Sequence, residues 1–114
     1  MYDPVVTLQR ISKTYSRAGT DVSVLRDLSF TIPAGTFLAI MGPSGSGKST
    51  LLNVMAGIDR PTSGSVVVAG TRLDDLSEGD MARWRARHIG YVFQSYNLIP
   101  VLTASENVEL PLLL

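Results

Sequence analysis

Gly42-Pro43-Ser44-Gly45-Ser46-Gly47-Lys48-Ser49-Thr50 fills every position of the pattern G-x-x-x-x-G-K-[ST]. Few short patterns tie residue type to chemistry so closely. Gly42, Gly45 and Gly47 let the backbone turn sharply and bring its N–H groups against a polyphosphate. Lys48 then reaches the terminal phosphates, and the Ser49 hydroxyl is placed to ligate a Mg²⁺ ion. The bland alternative is a glycine-rich turn between two buried elements.

The flanks decide between the two. Thr36 to Met41 is a short apolar run of the kind that forms a fully buried strand. Lys48 to Ala56 reads as a helix with apolar residues on most faces (Leu51, Leu52, Val54, Met55), ended by Gly57. Strand, glycine loop and helix are the context the phosphate reading requires. The helix N-terminus adds free N–H groups and the positive end of a dipole.

Working outward, Val5 to Ile11 alternates well enough for a strand. Leu25 to Ile32 alternates more cleanly, with Leu28, Phe30 and Ile32 on one face. Residues 16–23 are small and polar and read as a loop or hairpin tip. Pro33-Ala34-Gly35 is a turn, as is Asp59 to Gly64, which leads to a strand at Ser65–Ala69 and a further turn at Gly70. Ser77 with Asp80 starts a helix running to about Arg87, its apolar stripe Met81 and Trp84. His88 to Phe93 is the next strand candidate. Thr103 and Glu106 form a capping box for a last helix, which Pro111 kinks or ends. Strands first, then alternating strand and helix, predict an α/β fold in which an antiparallel patch leads into a parallel core.

Composition sets outer limits. At 114 residues the chain is one domain at most. Ten basic and ten acidic residues cancel, which argues against a general nucleic-acid or membrane-surface footprint. With no cysteine, disulfides, thiolate catalysis and cysteine-ligated zinc are excluded. Met1 to Pro4 carries no export signal, and no apolar run approaches the roughly 18 residues that span a bilayer. His88, the single histidine, has no partner cluster that would make it a base or a metal ligand. Arg83, Arg85 and Arg87 read as a solvated helix end, and Asp74, Asp75, Glu78 and Asp80 as a solvated cap.

Three separated stretches resemble one family. The loop with Leu51-Leu52-Asn53, the turn Ala56-Gly57-Ile58-Asp59-Arg60-Pro61-Thr62-Ser63-Gly64, and His88 to Pro111 with its Phe93-Gln94-Ser95-Tyr96-Asn97 core all resemble the nucleotide-binding domain of ABC transporters. The last stretch is similar to the branch that drives lipoprotein release and macrolide export. Ser65 departs from the acidic residue many relatives carry after the Ser-Gly turn, at the start of a strand where little depends on it.

The resemblance implies a P-loop NTPase core, with a parallel sheet and flanking helices, preceded by an antiparallel β subdomain. It divides the chain into 1–35 for the antiparallel start, 36–93 for the loop-bearing core, and 94–114 for the Q-loop and the start of a helical subdomain. ATP and Mg²⁺ are the implied cofactors. Gly42, Pro43, Ser44, Gly45, Ser46, Gly47, Lys48, Ser49 and Thr50 would hold the phosphates, and Tyr15 would stack on adenine with Val24 beside it. By itself a tyrosine at a strand end reads as ordinary packing. Gln94 matches the Q-loop glutamine, whose carbonyl reaches Mg²⁺ or the attacking water, so Lys48 and Gln94 are the implied catalytic pair and Ser49 and Gln94 the implied metal ligands. Tyr96–Leu102, apolar yet loop-like, would dock a transmembrane permease. The intact protein would be a homodimer on the cytoplasmic face of the cell membrane.

The chain contains no apolar strand ending in Asp-Glu, no Leu-Ser-Gly-Gly-Gln signature and no histidine after Gln94. In relatives all three follow the Q-loop. The chain therefore reads as the N-terminal half of such an ATPase, an incomplete fold that binds nucleotide weakly and does not turn it over. A soluble ABC-type ATPase without a membrane partner and a non-catalytic nucleotide-binding fragment are the alternative readings.

Overall fold

The computed structural model describes residues 3–113; Met1, Tyr2 and Leu114, which belong to the N-terminal tetrapeptide and the domain limits read above, lie outside the described residues. Two long antiparallel strands, β1 (Pro4–Arg17) and β2 (Thr20–Pro33), form a hairpin. Its turn is only Ala18-Gly19, both at positive φ (49° and 77°), as a two-residue hairpin requires. The polar stretch 16–23 is thus strand on both sides of that turn, with Tyr15 opposite Val22 and Arg17 opposite Thr20.

A third strand, β3 (Ser63–Val68), pairs antiparallel with the other edge of β1, Leu8 opposite Val66, and a short β4 (Thr71–Arg72) follows it. The order is β2-β1-β3-β4. Three helices complete the described elements: α1 (Lys48–Met55), α2 (Glu78–His88) and α3 (Ala104–Glu109), with 3-10 turns at Leu73–Asp75 and Leu110–Leu113. Ser77 caps α2 by accepting the Asp80 N–H, and Thr103 and Glu106 form both halves of the capping box on α3. Pro111 falls in the turn that ends α3, where a further helical N–H would be missing.

The core lies between one face of the sheet and two helices. Leu8 and Ile11 of β1 and Val66 of β3 are sealed beneath Val54 of α1, with Met81 and Trp84 of α2 at the margin. Burial of this stripe holds α1, and hence the loop before it, against the sheet.

Two expectations need correction. Residues 36–41 and 88–93 are not strands, and no parallel pairing occurs among the described residues. A strand inside a parallel sheet is held by hydrogen bonds from its neighbours and by covered faces. Neither segment has such neighbours here: Phe37 is 100% exposed and Val92 95%. His88 is instead the last residue of α2, its ring stacked on Trp84 at 5.1 Å between centroids. What forms is the antiparallel part of the expected α/β architecture with the loop helix packed on it.

Candidate functional site

The glycine loop runs from the extended segment at 36–41 into the N-terminus of α1. Gly47 occupies the N-cap with φ 98° and ψ 9°, a left-handed conformation that costs a side-chain-bearing residue about 1–2 kcal/mol. A Cβ there would also stand 3.1 Å from Val24 Cγ1 and 3.2 Å from the Val24 carbonyl oxygen. The loop therefore presses directly on β2, and only glycine fits the approach.

With no side chain at the N-cap, no side-chain cap bond forms. The first described intrahelical bond is Leu51 N–H to the Gly47 carbonyl at 2.9 Å, so the N–H groups of Lys48, Ser49 and Thr50 precede it as free helix-end donors. They sit at the positive end of the helix dipole. Lys48 Nζ donates to the carbonyl oxygens of Gly42 and of Pro43 (2.9 Å), and to Ser46 Oγ at 3.4 Å. The ammonium thus lies folded over the loop it belongs to. A polyanion entering the loop would offer it stronger, charged acceptors.

Ser44, Gly45, Gly47, Lys48, Ser49 and Thr50 line one open cleft of about 500 Å³, and Val24 and Gln94 share it. Gln94 is 46 positions from Lys48 in sequence, so its arrival there is a product of the fold. Gly42, Pro43 and Ser46 line an adjoining cleft together with Val24, Gly47 and Lys48. Among the described residues no cluster of three or more acidic, histidine or cysteine side chains could hold a metal. The neutral oxygen-bearing side chains lining the cleft are the hydroxyl residues Ser44, Ser49 and Thr50 and the amide residue Gln94. That set fits a Mg²⁺ ion carried in on phosphate oxygens, since this ion keeps several waters and needs few protein ligands.

Tyr15 does not line the cleft. It sits on β1 opposite Val22, on the strand pair whose Val24 does line it. Its hydroxyl donates to Asp59 Oδ2 at 2.7 Å, and the Lys13 ammonium lies 4.9 Å from its ring centroid. Lys13 also bridges Asp59 Oδ1 at 3.1 Å and donates to the Arg60 carbonyl at 2.7 Å. Partial burial works against ionisation of Asp59, but the hydrogen bonds from Tyr15, Lys13 and the Arg60 N–H outweigh it and hold the carboxyl below the usual aspartate range. Sequence reading placed Asp59 only in a turn. Nothing in its spacing pointed to Tyr15, because the contact closes across 44 residues.

Residues 25–111 match the family model for ABC transporters. The chain is 45% identical over 111 residues to the macrolide export ATP-binding/permease protein MacB of Burkholderia pseudomallei, covering 97% of this chain and 17% of that protein. It is 44% identical over 111 residues to the lipoprotein-releasing system ATP-binding protein LolD of Alcanivorax borkumensis, covering 97% and 49%. The ATP-binding cassette MJ0796, solved as a dimer in a post-hydrolysis state with ADP and Pi, superposes with a TM-score of 0.88 at 45% identity, over 95% of this chain and 47% of that one. The chain thus spans about half the length of LolD and MJ0796, and about a sixth of MacB.

Proposed function

The chain belongs to the ABC transporter family, and on that premise we propose that it supplies the triphosphate-gripping part of an ATPase coupled to transport through membrane partners. The observation that carries this reading is the shared cleft: Lys48, Ser49 and Thr50 at the helix start line one space together with Gln94. Phosphoryl transfer asks a protein mainly for positioning and for charge stabilisation, and these groups provide both.

The loop amides and Lys48 would hold the β- and γ-phosphates of ATP. Ser49 and Gln94 would hold Mg²⁺, which when bound would supply charge neutralisation to the transferring group. Gln94, neutral and hydrogen-bonding, would orient water without repelling the phosphate. Tyr15 would offer its ring to adenine, with Val24 beside it. The division into 1–35, 36–93 and 94–114 belongs to the same proposal, with β3 and β4 returning to complete the antiparallel sheet.

No helix among the described residues is long and apolar enough to cross a membrane. Coupling would pass through a permease surface, for which exposed Tyr96 (93%), Leu98 (66%) and Val101 (89%) are the proposed contact on the cytoplasmic side. MacB is named for export and LolD for lipoprotein release; one of these classes of work, in a dimer like that of MJ0796, is the proposal for this chain. The test is affinity purification from native membranes after crosslinking. Recovery of a permease, with ATP hydrolysis by the complex abolished by Lys48→Ala, is the expected result. Purification free of any membrane protein would contradict it.

A further inference from the structure

We propose that Asp59 is a positioning residue for the nucleobase platform: it fixes the Tyr15 ring so that a purine stacks on the ring face away from Lys13. The inference rests on the reading that Tyr15 receives the base. Asp59 binds both ends of a small clamp, accepting the Tyr15 hydroxyl at 2.7 Å on one oxygen and the Lys13 ammonium at 3.1 Å on the other. Lys13 is in turn held by the Arg60 carbonyl at 2.7 Å and lies over the Tyr15 ring, 4.9 Å from its centroid. One face of the ring is thereby committed to a cation, at a side chain only 14% exposed.

The clamp also ties the platform to the phosphate grip. Asp59 lies four residues beyond the end of α1, and its N–H donates to the carbonyl of Asn53 within that helix at 3.1 Å. The Asn53 carbonyl accepts the Ile58 N–H as well, at 2.9 Å, so the segment carrying Asp59 is pinned to the helix whose other end holds the loop. On the opposite side, Val22 faces Tyr15 across the hairpin, and Val24 lies against Gly47. A base on Tyr15 and phosphates in the loop are thus referred to the same rigid helix. Ordering the ring before binding removes a cost that a free tyrosine would meet on association.

The experiment compares two probes, Mg-ATP and inorganic tripolyphosphate, by equilibrium titration of the purified protein. Tyr15→Ala should weaken Mg-ATP about tenfold or more, the range of base–aromatic stacking, and leave tripolyphosphate unchanged. Asp59→Ala should weaken Mg-ATP about three- to tenfold with the same indifference of tripolyphosphate, the loss of one anchoring hydrogen bond. Asp59→Asn, which keeps an acceptor for the hydroxyl, should recover most of that loss. Combining Asp59→Ala with Tyr15→Phe should cost no more than the larger single change, because both remove the same bond. If Asp59→Ala binds Mg-ATP normally while Tyr15→Ala does not, or if it weakens both probes alike, the positioning role is wrong and the stacking reading survives. If Tyr15→Ala leaves Mg-ATP affinity intact, the stacking reading and the clamp both fall.

Discussion

Gly47→Ala tests the loop where its geometry is tightest. The substitution places a side chain at φ 98°, which costs about 1–2 kcal/mol for an L-residue in the left-handed region. The new Cβ would meet Val24 Cγ1 at 3.1 Å, Leu25 Cδ2 at 3.2 Å and the Val24 carbonyl oxygen at 3.2 Å. All three are inside the roughly 3.5–4.0 Å of favourable carbon contact. Leu25 is buried in the core, and the Val24 carbonyl is part of β2, so neither yields freely. Overpacking of this kind adds about 1–3 kcal/mol, for a total near 2–5 kcal/mol. Gly45→Ala is the matched control, because Gly45 has a similar φ of 80° but nothing within 4 Å of the added carbon. It should cost only the backbone strain, about 1–2 kcal/mol. Urea unfolding followed by Trp84 fluorescence reads both, and the midpoint for Gly47→Ala should fall clearly below that for Gly45→Ala. Equal midpoints would refute the claim that the loop bears on β2.

Two further outcomes follow from the core and the clamp. Trp84 is 6% exposed with its Nε1 buried and unpartnered among the described residues, so Trp84→Ala should cost about 3–5 kcal/mol, whereas Trp84→Phe, which deletes the unsatisfied donor, should cost well under half of that in thermal unfolding; a phenylalanine as damaging as alanine would contradict the packing described. Asp59 ionises more readily folded than unfolded, so its contribution is fully present above the ordinary aspartate value of about 3.9 and is lost as pH falls through the lower folded value. Lys13 and Tyr15 are the groups that face it. Unfolding midpoints measured from pH 6 down to pH 2 should therefore drop more steeply for the native chain than for Asp59→Asn, and parallel slopes would count against the clamp.

Local rules carried well where the chemistry is local. Ser77 and Thr103 announce their helices because a hydroxyl three residues before a free N–H needs no distant partner. Met81 and Trp84 share a stripe because helical spacing puts them there. The loop 42–50 was legible for the same reason, and it enters a helix as its pattern requires. Residues 36–41 and 88–93 were misjudged because apolar runs say that a segment wants burial, not that a neighbour is at hand. Tyr15 shows the reverse case. Its place on the first strand was foreseen, but its partner Asp59 lies 44 residues away, across a contact no periodicity encodes. Gln94 joined the loop's cleft in the fold although its segment is not the expected strand.

The central claim is that helix-end amides and the Lys48 ammonium hold the phosphate tail of a nucleotide. Isothermal titration of the purified chain with Mg-ATP tests it most directly. Saturable binding that Lys48→Ala abolishes, with unfolding of the variant unchanged, is the predicted result. Absence of binding, or a variant that binds as tightly as the native chain, would contradict it.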